Sequence, residues 1–130
     1  MALGILADNH ADQALAEAQY PALLPLKGTL DISGVIGMDR LLGLLAHVMD
    51  KLDMANGHYE DALGFCRKGG YRPELAWTCC DYADTLLKRN GESDRIKAMS
   101  LLDESLAISS ELGMRPLMER VLSRREILGA

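Results

Sequence analysis

Between Arg95 and Leu112 the apolar residues Ala98, Leu102, Leu106 and Ile108 fall at the spacing of one helix face, with polar residues between them. The same period recurs along most of the chain and predicts seven helices, at 2–10, 12–24, 38–50, 52–69, 73–89, 94–112 and 116–128. Their ends carry matching signals. Asp94 is placed to cap the sixth helix with its carboxylate. Gly113 can end that helix in the left-handed conformation, and Pro116 suits the first turn of the next. "GYRP" at 70–73 repeats the device seen in "GMRP" at 113–116, so GxRP reads as a helix-stop, helix-start joint. Pro21 should kink or split the second helix, and Pro25 should close it. Residues 26–37, "LKGTLDISGVIG", lose the helical period and read as an extended connector.

The pattern also repeats at long range. "LGILA" at 3–7 returns as "LGLLA" at 42–46, and Ala16 and Tyr20 return as Ala55 and Tyr59, all 39 positions on. From the middle to the end the offset is 43, pairing Ala55 with Ala98, Tyr59 with Leu102 and Leu63 with Leu106. Periods near forty mark stacked supersecondary units. The expected units are 1–25, 38–70 and 72–113, with a terminal helix at 116–128. The offset also places Asn56-Gly57, ordinarily a turn signal, inside a helix.

These residues resemble tetratricopeptide repeats. Leu42-Gly43, Ala46, Leu52, Ala55, Tyr59 and Ala62 stand where that motif alternates small and large residues. Leu3-Gly4, Ala7, Ala16 and Tyr20 match in the first unit, and Ala83, Ala98, Leu102 and Ser105 in the third. Over residues 12–114 the chain is similar to the C-terminal helical region of large bacterial signalling proteins, predicted ATPases joined to nucleotide-cyclase domains or to LuxR-type regulators. Asp50 departs from the motif, standing where glycine is usual. The resemblance implies an all-α superhelix of about three helix pairs plus a final helix, forming a single repeat domain. It further implies a fragment of a larger regulator, with flanking domains.

Composition narrows the function. Of 130 residues, 48% are hydrophobic, only 5% are aromatic, and the net charge is −5, a poor basis for gripping nucleic acid. No membrane span or signal peptide is legible. Three cysteines, two of them adjacent, argue against a disulfide framework and for the cytoplasm.

Candidate chemistry is thin. Cys79-Cys80 occupies the place of Leu42-Gly43, where small residues let helices approach closely, so packing is its expected role, as for Cys66. His10, His47 and His58 show neither HxxxH nor HExxH spacing, and no CxxC or phosphate-binding glycine loop occurs. "DNHAD" at 8–12 reads as a polar turn. Arg120, Arg124 and Arg125 interleave with Glu119 and Glu126, which favours amphipathic packing over DNA reading. We therefore expect no catalytic, cofactor-binding or metal residue.

Transferring the motif register, a concave partner-binding face would carry Ile5 and Asp8, then Arg40, Leu44 and His47, then Glu74, Trp77, Asp81 and Asp84. The expected function is a non-enzymatic module that contacts a protein, a peptide or other domains of its parent, with a homodimer through its outward helices as a further option. The alternative is an effector sensor with a small-molecule pocket between the connector 26–37 and the third and fifth helices.

Overall fold

The computed structural model describes residues 10–28 and 37–129, with side chains from Gln13 onward. Among these residues the architecture is all-α: α1 (His10–Leu23), a 3-10 turn (Leu24–Leu26), α2 (Met38–Val48), α3 (Leu52–Gly69), α4 (Arg72–Arg89), α5 (Glu92–Leu112) and α6 (Arg115–Gly129). No described helix is long and apolar enough to cross a membrane. The expected helix at 2–10 and most of the connector lie outside the described residues. α1 begins at His10, inside the stretch read as a polar turn. Pro21 is accommodated within α1, and the chain then tightens into the 3-10 turn that contains Pro25. α3 runs unbroken through Asn56-Gly57, as the repeat offset required.

The helix joints share one construction. α2, α3, α4 and α5 each run out onto a residue with positive φ, at Asp50 (61°), Gly70 (73°), Asn90 (56°) and Gly113 (69°). At three of these joints the amide just beyond reaches back five residues: Lys51 N–H to Ala46 C=O (2.9 Å), Tyr71 to Cys66 (3.0 Å) and Met114 to Ser109 (2.8 Å). These bonds satisfy carbonyls that the helix end would otherwise leave open. α2 and α4 end on Asp or Asn, and α3 and α5 on Gly.

The chain forms two compact units, Met1–Phe65 and Cys66–Ala130. In the first, α1 packs on α2, and α2 lies close to α3. A Cβ on Gly43 would sit 2.7 Å from the Tyr59 ring, so glycine is what allows that approach. Leu42, Leu45, Ala46, Ala55 and Tyr59 are fully buried there. In the second unit α5 packs against both α4 and α6. Cys79, Cys80, Tyr82, Ala83, Leu102, Leu117 and Val121 make its sealed core. Ser105 sits in that core and donates its hydroxyl to the Ala76 carbonyl at 2.7 Å, so the polar group is buried without an open valence.

Asp94 is not the N-cap of α5. Gly91 holds that position, and Asp94 accepts its N–H at 3.0 Å from inside the first turn. Arg89, in the last turn of α4, clamps the same carboxylate with two bonds of 2.8 and 2.7 Å. One acid thus closes the end of one helix and the start of the next.

Candidate functional site

The seven residues assigned to a partner face are set differently from one another. Arg40, Glu74 and Asp81 are buried, while Leu44, His47, Trp77 and Asp84 are half-buried. Asp81 and Asp84 are engaged within their own unit. Arg120 of α6 reaches Asp81 at 3.1 Å and Asp84 at 2.7 Å, and Arg124 holds the other Asp84 oxygen at 2.7 Å. Burial alone would draw the Arg120 guanidinium down, but the two carboxylates override it and fix the charge. The Arg120 guanidinium also lies 6.0 Å from the Trp77 ring centre, at the edge of cation–π range. Arg125 meets Asp103 of α5 at 3.2 Å. The acids that balance these arginines come from α4 and α5, beyond the neighbours on α6 itself. Ile5 and Asp8 lie outside the described residues.

The cysteines are free and buried. Burial pushes the Cys79 thiol far up and the Cys80 thiol to about 12, leaving no thiolate at neutral pH.

A second constellation lies in the first unit. Tyr20 of α1, Asp39 in the first turn of α2, and His58 and Asp61 of α3 converge beside Lys27 and Gly28. One donor atom from each of Asp39, His58 and Asp61 lies within 4.8 Å of the others. The Tyr20 hydroxyl is hydrogen-bonded to His58 Nε2, with the rings edge-on at 64°. Gly28 N–H donates to Asp39 Oδ2 at 3.0 Å, and the Lys27 ammonium stands 3.7 Å from Asp61. Asp39 Oδ1 and His58 Nδ1 are buried and have no hydrogen-bond partner among the described residues. Burial raises the Asp39 carboxyl, against the Gly28 amide, which lowers it; burial also lowers the His58 imidazole, helped by Lys27.

This cluster borders a cleft of about 410 Å³ lined by Lys27, Gly28, Asp39, Glu60, Asp61, Gly64 and Phe65. No motif search for paired histidines or cysteines finds it, because its donors come from two helices. The local signal was His58 and Asp61 three positions apart, on one face of α3.

No family model, curated protein or solved structure matches this chain. The likeness to tetratricopeptide repeats therefore rests on the residues themselves.

Proposed function

We propose that the chain is a non-enzymatic helical-repeat module of the tetratricopeptide kind, through which a cytoplasmic bacterial signalling or transcription-regulator protein contacts a protein partner or its own other domains. The observation that carries this reading is the repeated joint. Four successive helices end on left-handed residues, alternating Asp or Asn with Gly, which supports reading them as one helix-pair unit written twice. Burial of all three thiols agrees with packing as their role. Recognition falls to the first helix of each pair, where Leu44, His47 and Trp77 keep part of their surface. Trp77 is the strongest anchor, a large ring beside a fixed guanidinium.

The test is calorimetric titration of the chain with the separately expressed domains encoded beside it. Trp77→Ala should weaken binding at least tenfold, a loss of about 1.4 kcal/mol, with unchanged helicity. Equal affinity of the variant would remove Trp77 from the interface.

The cleft at Lys27, Asp39 and Phe65 favours a second reading, an effector-sensing domain of the same kind of regulator. A metabolite that raises the melting temperature, where partner domains and peptides do not, would select it.

A further inference from the structure

We propose that Asp39, His58 and Asp61 form a binding site for a first-row divalent metal ion such as zinc, held by one imidazole nitrogen and two carboxylate oxygens. This goes beyond the module's proposed role and stands whether or not that role holds.

Two buried atoms of the cluster have open valences. Asp39 is 3% and His58 7% exposed, yet Asp39 Oδ1 and His58 Nδ1 lack a hydrogen-bond partner among the described residues. A buried polar atom left open costs about 1–3 kcal/mol. Two such atoms on residues of one cluster have a common remedy in a cation that accepts a lone pair from each. The other atoms of these side chains are already fixed. Gly28 N–H holds Asp39 Oδ2, which leaves Oδ1 to offer. Tyr20 occupies His58 Nε2, which leaves Nδ1. With Nε2–H donating to the Tyr20 oxygen, the Nδ1 lone pair is free, the usual outer support of a metal-bound histidine.

Asp61 completes the set from the solvent side. Its carboxylate already attracts a cation, the Lys27 ammonium at 3.7 Å, whose exposed side chain can swing away. One donor atom from each residue lies within 4.8 Å of the others, and an ion with bonds of roughly 2.0–2.2 Å would draw them closer together. Three protein ligands leave a position for water. The imidazole favours zinc, cobalt or nickel over calcium, magnesium and manganese, which prefer oxygen ligands.

The experiment uses the full chain, stripped with a chelator and titrated calorimetrically with zinc chloride, alongside melting curves. A single equivalent should bind and raise the melting temperature, and excess magnesium should not compete. Asp61→Asn should weaken zinc at least tenfold while leaving the metal-free melting temperature unchanged, since Asp61 is exposed. Tyr20→Phe should weaken it roughly tenfold through the lost support of His58. His58→Gln should abolish binding, and if it fails to fold, Asp61→Asn still decides. Cobalt substitution should give a visible spectrum without thiolate charge transfer. Absence of saturable zinc binding, equal affinity in Asp61→Asn, or a thiolate band from the cysteines would each overturn the site.

Discussion

Gly43 faces the ring of Tyr59 at a distance that leaves no room for a methyl group. Gly43→Ala gains about 1 kcal/mol of helix propensity but forces a sealed tyrosine to move, at a cost of roughly 1–3 kcal/mol. Because Tyr59 is fully buried, the clash wins, and we expect a net loss of about 1 kcal/mol in urea denaturation. Asp50 presents the opposite case. Its φ of 61° costs a side-chain-bearing residue about 1 kcal/mol, so Asp50→Gly should shift the same midpoint upward. Both positions were legible in the sequence, Gly43 through its recurrence in the Leu-Gly pair and Asp50 as the departure from glycine. The pairing of Tyr20 with His58 was not, because the two are 38 positions apart and no spacing in the sequence links one to the other.

At the scale of elements, the joint between α4 and α5 turns on a single carboxylate. The Arg89 fork, helped by the Gly91 amide and opposed by burial, holds Asp94 below the ordinary carboxyl value of 3.8. A carboxyl depressed by folding stabilises in full above its unfolded value, and that stability fades as pH falls through the folded one. Asp94→Asn should therefore lower the urea midpoint at neutral pH, and the gap from the parent chain should close under strong acid. The sequence showed that an acid belonged at this helix start. It could not show that a glycine takes the cap while the acid reaches back from inside the helix, since both arrangements place Asp near the same free amides.

α6 teaches the same lesson in charge. Its arginines look balanced by Glu119 and Glu126 along the chain, yet Arg120 and Arg124 span to Asp81 and Asp84 on α4. Arg120→Ala would take an arginine from the buried Asp81. We expect a loss of about 2 kcal/mol, below the about 3–5 kcal/mol for a sealed pair because Arg120 keeps some solvent and Asp84 keeps Arg124. A double-mutant cycle with Asp81→Ala measures that coupling.

On the scale of the whole molecule, each compact unit carries its own reporters. Trp77 and the three cysteines belong to Cys66–Ala130, while Tyr20, Asp39, His58 and Asp61 belong to Met1–Phe65. With Cys79 and Cys80 fully buried and Cys66 at 2% exposure, an aromatic disulfide reagent should label the native chain only as fast as the second unit opens. Rapid labelling of any thiol in the native chain would contradict that core. Helical character and the order of the helices from α1 to α6 were readable because apolar spacing is local. The cluster around Asp39 was not, because folding assembles it from α1, α2, α3 and the start of the connector.

The joint after α4 has a consequence for how the protein ages. Asn-Gly pairs deamidate when the glycine amide attacks the asparagine side chain through a five-membered imide, and this chain has two such pairs. Gly91 N–H is tied to Asp94 at 3.0 Å, and Asn56-Gly57 is locked into the ladder of α3. Folded, neither nitrogen is free to attack. Isoaspartate formed at Asn56 or Asn90 on storage would thus be a covalent record of how often α3 or the α4–α5 joint had come open.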